Sequence, residues 1–337
     1  MSHSIRSLAR VALAAVAATL SILPALAGAP AQSSSEASGR LVVGVLRNDG
    51  LLLPFAAFDG RKWSTPWPSA LTGRELPVNL ASVPRGWWGG EEPGAWRVWP
   101  RNGDSARALT LQSPVMMLVG VSRQLGFRTD HPPVLPPVPP LELPFPKVGV
   151  AIAGDATLRP IPAISPLSPP WKVFTSALQA DIEKAEDKSI STLRGRAGWN
   201  HPFNRDARRR VPPQLEAWYA TSLADSSTVS MSYVEVVKKY PLLPEDKGCG
   251  LETFVSGWVH TLPHQQNPRA RLQAVITYCD RRSVSYMLPL GQLVAAGRTH
   301  WIVQMSGRDH EWYAIVEGRP DQLKYVAEYQ AGGAPFE

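Results

Sequence analysis

Residues 249–279 read CGLETFVSGWVHTLPHQQNPRARLQAVITYC, and this stretch indicates the kind of fold that the chain adopts. Two runs of strand-forming residues, Glu252–Leu262 and Arg271–Tyr278, flank a polar segment bounded by prolines. In the second run every other residue from Leu272 to Tyr278 is apolar or aromatic, which is the period of a strand with one buried face. The stretch therefore predicts an antiparallel hairpin whose turn lies within Pro263–Pro268.

The two cysteines of the chain, Cys249 and Cys279, stand at the two ends of this hairpin. A bridge between them would centre the loop on His264, inside the expected turn, so the spacing fits a disulfide. Such a bridge would close a loop of roughly thirty residues and stabilise the fold by about 3 kcal/mol. The alternative is a pair of free thiols that pack in the core as small apolar side chains.

Short strand-like runs separated by turn residues extend in both directions from the hairpin. Arg40–Leu46 and Leu51–Phe58 flank Asn48-Asp49-Gly50, and an Asp-Gly pair tolerates the positive φ angles of a tight turn. Because hairpin loops rather than helices join most of the strands, the pattern predicts a mainly β fold, an antiparallel β-sandwich or a barrel-like assembly. The other strand candidates are Trp96–Trp99, Ala108–Leu111, Val115–Val121, Val148–Ala153, Leu215–Leu223, Thr228–Tyr240, Ser283–Leu288, Trp301–Met305 and Glu311–Val316.

One short helix is expected at about residues 174–190. Apolar or small residues recur there at helical spacing, at positions 174, 178, 182, 185 and 189, and charged residues fill the other face. Thr175 or Ser176 could cap its start, and Gly195 is expected to lie beyond its end.

The prolines suggest how the chain is organised. Thirteen of the 33 lie between positions 132 and 170, which excludes a long helix across that segment and predicts a Pro-rich connector or strap over residues 131–170. This segment separates a β-rich N-terminal part, residues 40–130, from a β-rich C-terminal part, residues 171–330, which carries the disulfide hairpin. A single domain with the proline segment laid across it would give the same pattern.

The first residues predict that the protein is exported. Arg6 and Arg10 precede a charge-free, mostly apolar run that ends at Pro24, and small residues follow it. This is the pattern of a cleavable signal peptide, assigned to residues 1–29, with residues 30–39 as a flexible leader. The apolar run is too short for a membrane-spanning helix. The expected location is the periplasm or the extracellular space, with no transmembrane segment after cleavage.

Charge argues against a nucleic-acid partner. The formal net charge is +7, and it falls to +5 without Arg6 and Arg10. The basic residues are spread thinly except for Arg205, Arg208, Arg209 and Arg210, whereas nucleic-acid binders carry larger patches. This cluster is expected to lie on a solvated loop, and contact with an anionic surface is the alternative.

Tryptophan is the nearest thing to a functional signature. The chain holds twelve tryptophans, more than its eight tyrosines or its eight phenylalanines, and several lie close together. Exposed indole rings stack on the apolar faces of sugars, whereas buried ones fill a β core. The candidate ligand-binding residues are Trp87, Trp88, Trp96 and Trp99, of which the first two lie between glycines.

Motifs that would name a reaction do not occur. There is no G-x-S-x-G nucleophile elbow. His260 and His264 approach a loop rather than share a helix face, and His310-Glu311 is followed by Ala314 where a zinc protease needs its second histidine. Ser306, Asp309 and His310 lie close in sequence, but turn residues beside a solvated histidine explain them as well. No metal site, cofactor or catalytic residue is predicted.

These observations favour a non-enzymatic binding or envelope-associated module, with carbohydrate as the preferred class of ligand. Two alternatives remain open: a secreted hydrolase whose site is assembled from residues distant in sequence, and a structural module that binds another protein. The sequence leaves the ligand and the oligomeric state undetermined.

Overall fold

The computed structural model describes residues 39–68, 95–100, 105–119, 122–133, 147–165, 167–168, 170–224, 226–243, 248–261, 268–307, 310–319 and 322–333. By their contacts, residues Ser35–Glu337 form one compact unit. The fold is mainly β, and every strand pair is antiparallel, as the sequence predicts.

The first sheet contains the strands from the N-terminal half of the chain. Their order across the sheet is β5-β4-β8-β1-β2-β7-β6, and β3 pairs with β2. Their bounds are β1 (Leu41–Arg47), β2 (Leu51–Phe58), β3 (Trp63–Ser64), β4 (Trp96–Pro100), β5 (Arg107–Leu109), β6 (Leu111–Val119), β7 (Ser122–Thr129) and β8 (Lys147–Ala153). Strand β8 lies inside the stretch expected as a Pro-rich connector, yet it pairs with both β1 and β4 in the middle of the sheet.

Two four-stranded sheets follow, each built by consecutive hairpins. The second sheet has the order β12-β11-β10-β9 and the third has the order β13-β14-β15-β16. Strands β7 and β16 lie where the sequence analysis predicts none. The bounds are β9 (Gln214–Leu223), β10 (Ser226–Lys239), β11 (Leu251–Thr261), β12 (Arg269–Tyr278), β13 (Tyr286–Ala295), β14 (Arg298–Ser306), β15 (His310–Gly318) and β16 (Leu323–Gly333).

The sheets and helices stack in layers, with the third sheet between the other two. Its strands alternate in the side they bury: Ile302 and Ile315 join the core shared with the first sheet, whereas Trp301 and Val316 join the core shared with the second sheet. Burial on both faces explains why alternation is weak in this part of the sequence. A third core lies between the other face of the second sheet and the helices.

Within the described ranges the chain forms three helices, where one was expected: α1 (Pro170–Ala177), α2 (Gln179–Ala197) and α3 (Arg205–Arg210). Helix α2 runs through Gly195 and ends at Gly198, whose φ of 63° and N–H bond to the Arg194 carbonyl form a left-handed cap. Helix α3 begins at Asn204, whose side chain accepts the Ala207 N–H at 2.9 Å. The arginine cluster therefore lies on a helix, not on a loop as the sequence analysis expects.

The disulfide between Cys249 and Cys279 is present, as predicted. The hairpin register differs from the expectation by one residue, because Leu251 lies opposite Tyr278 and the Cys279 N–H donates to the Gly250 carbonyl. In this register Gly250 lies opposite Cys279, and the bridge joins Cys279 to Cys249, the residue before Gly250. It lies beyond the last pair of the ladder, where the register no longer fixes which side chains meet.

The segment after β8 acts as a strap across two sheet edges. Arg159 exchanges two backbone hydrogen bonds of 2.8 Å with Gln292 on β13, and the Ile164 N–H donates to the Trp218 carbonyl on β9 at 2.7 Å. Between them, Ile161 joins the core between the second and third sheets. Edge strands expose unpaired backbone groups, so this segment covers two edges that could pair with other chains.

Candidate functional site

A cavity of about 240 Å³ lies where three tight turns meet. The first turn joins β2 to β3, where Asp59 accepts the N–H groups of Arg61 and Lys62 at 2.9 and 2.8 Å. These two backbone hydrogen bonds lower the pKa of Asp59. The second turn joins β13 to β14 through Ala296 and Gly297, both with positive φ. The third turn joins β15 to β16.

The cavity, called the basic pocket below, is lined by five cationic side chains and one carboxylate, Glu317. The cations come from all three turns, so the pocket depends on how the first and third sheets pack. They are Arg61, Lys62, Arg298, Arg319 and Lys324.

Glu317 is almost buried, with 6% of its side chain exposed. Arg298 donates to it at 3.0 Å, and Arg319 also donates to it. Burial by itself would raise the pKa of Glu317, but the hydrogen bond from Arg319 and the charges of both arginines outweigh burial, so the pKa is lowered. Two guanidinium groups thus already neutralise this carboxylate.

His300 lies beneath Glu317 and is uncharged at neutral pH. Burial lowers its pKa to about 4 despite the nearby carboxylate. Its Nδ1 lies 3.0 Å from the Arg298 carbonyl oxygen, to which a neutral imidazole donates. The 3.7 Å approach of its Nε2 to Glu317 is therefore not an ion pair near pH 7.

Aromatic side chains form the apolar part of the pocket. Trp63 is 8% exposed and packs between Phe58 and His300, with ring centroids 5.1 and 5.4 Å apart. Tyr325 is 38% exposed, and its hydroxyl accepts the Trp258 indole N–H at 2.9 Å. Tyr325 is thus the aromatic ring of the pocket that a ligand can reach, and Trp258 fixes its position.

The structure does not bring the four candidate tryptophans together as an exposed surface. Trp96 and Trp99 are 5% and 3% exposed in the core of the first sheet, so neither offers a face to a sugar. The Arg97 guanidinium lies 5.2 Å from the centre of the Trp99 ring and helps to cover it. Both are core residues because β4 is an inner strand of this sheet. Trp87 and Trp88 lie outside the described residues.

A serine and a histidine from distant parts of the sequence meet at one end of the third sheet. Ser285 Oγ lies 2.7 Å from His310 Nε2. The His310 ring lies over Gly307, where an added Cβ would be 2.2 Å from the ring. Ser306, considered beside His310 in the sequence analysis, is buried on β14, and Asp309 lies outside the described residues. His310 is half-buried rather than solvated.

Sequence reasoning missed the basic pocket, although part of its signal is visible. Arg61 and Lys62 directly precede Trp63 after an Asp-Gly turn, which combines charge with an aromatic ring. The remaining residues come from strand ends more than 230 positions later, and only the packing of the sheets brings them to the same place.

Comparison with known proteins identifies no relative of the chain. No family model matches the chain, and no curated protein or solved structure matches it. Among the described residues, no group of three or more His, Cys, Asp or Glu side chains could hold a metal ion. No helix in the same residues is long and apolar enough to cross a membrane.

Proposed function

We propose that the protein is an exported, non-enzymatic binding module and that its basic pocket binds an anionic carbohydrate. The observation that carries this proposal is the excess of cations around one carboxylate that is already neutralised. Arg61, Lys62 and Lys324 form no ion pair within the described part of the chain. A carboxylate or sulfate group of a ligand would form ion pairs with these cations, and the positive potential of the pocket would attract it.

The aromatic wall supports carbohydrate as the class of ligand. The exposed ring of Tyr325 offers an apolar face on which a sugar ring can stack, and its hydroxyl is already occupied by Trp258. Cations beside an aromatic face suit a sugar that carries a negative charge. The pocket volume of about 240 Å³ limits the bound portion to roughly one sugar unit at a time.

Export is supported by two features of different kinds. The first 29 residues have the pattern of a signal peptide. The Cys249–Cys279 bridge is compatible with an oxidising compartment, where disulfides persist.

A binding titration tests the proposal. Polygalacturonate, an acidic glycan, is expected to bind in isothermal titration calorimetry at pH 7, and neutral dextran of similar length is not. Lys324→Gln and Arg61→Gln should each weaken binding several-fold, and raising the salt should weaken it further. Lys172→Gln and Arg128→Gln change exposed cations away from the pocket and should bind as the parent does.

The aromatic contact has its own test. Tyr325→Ala removes the stacking surface and should weaken binding, whereas Tyr325→Phe keeps the ring and should retain most of it. Equal binding of the acidic and neutral glycans would contradict the proposal, as would parent-like binding by the Lys324 and Arg61 variants.

A second candidate function, hydrolysis by a serine nucleophile, is favoured by the bond between Ser285 and His310. In that reaction Ser285 Oγ would attack an ester carbonyl while its proton passes to His310 Nε2. His310 would then return the proton to the departing alcohol, and water would release the acyl group. A fluorophosphonate probe should then label Ser285, and Ser285→Ala and His310→Gln should abolish labelling while Ser283→Ala should not. An unlabelled parent protein would exclude this candidate.

A further inference from the structure

A second cavity, of about 500 Å³, lies between α2 and α3 and is called the arginine crevice below. It shares no lining residue with the basic pocket. Three guanidinium groups and one carboxylate line it, from Arg194, Arg205, Arg208 and Asp187. The crevice therefore carries an excess of positive charge.

The carboxylates near the crevice are already paired. Asp187 accepts from Arg208 at 2.6 Å and pairs with Arg205 at 3.0 Å. Behind it, Glu186 accepts from the buried Lys238 at 2.8 Å. Arg194 is exposed and forms no ion pair among the described residues. The crevice therefore has positive charge that the protein's own carboxylates do not neutralise and that an anionic ligand could pair with.

Two buried nitrogens in residues that line the crevice lack hydrogen-bond partners within the described part of the chain: Arg208 Nε and His201 Nε2. Arg208 is nine-tenths buried, and its Nε lies 3.6 Å from Glu186, which is too far for a hydrogen bond. Buried donors without partners are rare in folded proteins, and both of these nitrogens are enclosed rather than open to the crevice.

The two ring nitrogens of His201 have different surroundings, since Nδ1 lies beside the Phe203 backbone and Nε2 has no partner among the described residues. Its Nδ1 lies 3.1 Å from the Phe203 amide nitrogen and 3.2 Å from the Phe203 carbonyl oxygen. That carbonyl also accepts from Arg208 at 3.0 Å. Burial, with the charge of Arg208, lowers the pKa of His201 to about 4, so the ring is neutral near pH 7.

We propose that the arginine crevice is a second site, independent of the basic pocket, that binds a doubly charged tetrahedral oxyanion such as a phosphate or sulfate group. Such an anion offers several acceptor oxygens to the guanidinium groups of Arg194, Arg205 and Arg208 that line the crevice. The planar fork of a guanidinium matches these oxygens in geometry as well as in charge, and Arg194 supplies one that is free of other ion pairs.

Titration of the protein with inorganic phosphate at constant ionic strength tests the site, with sodium chloride as the blank. Phosphate is expected to bind, and Arg194→Gln should raise the dissociation constant roughly tenfold, because a charge-assisted contact is lost. Arg196→Gln is the matched control, since Arg196 is an exposed arginine on the same helix outside the crevice. Lys172→Gln, which changes an exposed cation outside both cavities, should also leave phosphate binding unchanged. Far-ultraviolet circular dichroism verifies that each variant is folded.

Three results would overturn the proposal: no heat of binding above the chloride blank, equal loss of affinity in the Arg194 and Arg196 variants, or loss of phosphate binding in Lys172→Gln. Vesicles of phosphatidylglycerol distinguish the sources of the anion. Binding that phosphate displaces and that Arg194→Gln weakens would identify a lipid headgroup. Phosphate binding without vesicle binding would identify a soluble phosphoryl or sulfate compound.

Discussion

Two nearly buried glutamates, Glu186 and Glu317, have opposite surroundings. Glu186 lies between α2 and the second sheet, where it accepts from Lys238 and Thr253, both at 2.8 Å, and from the Tyr240 hydroxyl. Lys238 is itself 1% exposed. Glu317 lies in the basic pocket, where its partners Arg298 and Arg319 remain open to solvent and further cations surround it.

The difference separates charges that hold the fold from charges that face a ligand. A buried pair is costly to break, because removal of one partner leaves the other charged and desolvated. Exposed cations contribute little to folding, since water and salt screen them. The cluster around Glu186 therefore fixes α2 on the sheet, and the cluster around Glu317 leaves charge available for binding.

Glu186→Gln is expected to have the largest effect on stability. It leaves Lys238 buried without its counter-charge, so the free energy of unfolding should fall by about 3–5 kcal/mol. Urea denaturation followed by circular dichroism measures this loss. In a control, Lys238→Met combined with Glu186→Gln should recover part of it. A loss below about 1 kcal/mol would mean that the buried pair does not hold the helix.

The disulfide, which joins the ends of two strands of the second sheet, allows the contribution of a covalent link to be compared with that of the buried ion pair. Cys249→Ala with Cys279→Ala should lower the free energy of unfolding by about 3 kcal/mol, because the bridge closes a loop with a sequence separation of 30. Urea denaturation measures it, and mass spectrometry should show a gain of two hydrogens on reduction of the parent. Identical masses with and without reductant would contradict the bridge.

The pH dependence of the unfolding free energy tests the surroundings of Glu317 through its neighbour His300. The pKa of His300 is lowered to about 4, so folding favours its neutral form. The stability from this preference is fully present above the unfolded pKa of about 6.5 and is lost as the pH falls from there towards 4. A pKa shift from 6.5 to about 4 corresponds to a loss of roughly 3 kcal/mol in the free energy of unfolding. His300→Gln should therefore flatten the fall in unfolding free energy across this window, and an unchanged slope would contradict it.

The smallest expected effect comes from Glu317→Gln. Its arginine partners are partly exposed, so the free energy of unfolding should fall by only about 1 kcal/mol, in contrast to Glu186→Gln. The same variant removes the one carboxylate of the pocket and should bind polygalacturonate more tightly than the parent does. Urea denaturation and calorimetry measure the two effects. A loss as large as that of Glu186→Gln would remove the distinction between the clusters.

Local chemistry predicted some elements well. The turn at Asn48-Asp49-Gly50 forms as expected, with Gly50 at a φ of 76° and the Leu51 N–H bonded to the Asp49 side chain. The helix ends were predicted less well, since Gly195 lies inside α2 and Gly198 ends it. Both glycines are compatible with a helix end, and the left-handed φ of 63° at Gly198, whose N–H bonds to the Arg194 carbonyl, places the cap at the second one.

The candidate site shows where prediction from sequence stops. Trp96 and Trp99 were candidates because tryptophans on a surface bind sugars, but the sequence does not contain the strand order that buries them. Trp63 and Tyr325 meet only because the first and third sheets pack together. The same holds for Ser285 and His310, which meet across the end of β14.

The sequence by itself determined the mainly antiparallel β architecture, the positions of most strands and the pairing of the two cysteines. These follow from side-chain alternation and turn residues, which act over a few residues, and from the spacing of the two cysteines at the ends of one hairpin. Only the tertiary structure decided which tryptophans are buried, which charges are paired and where cations accumulate. Such properties depend on distances between residues far apart in the chain, and packing of the three sheets sets those distances.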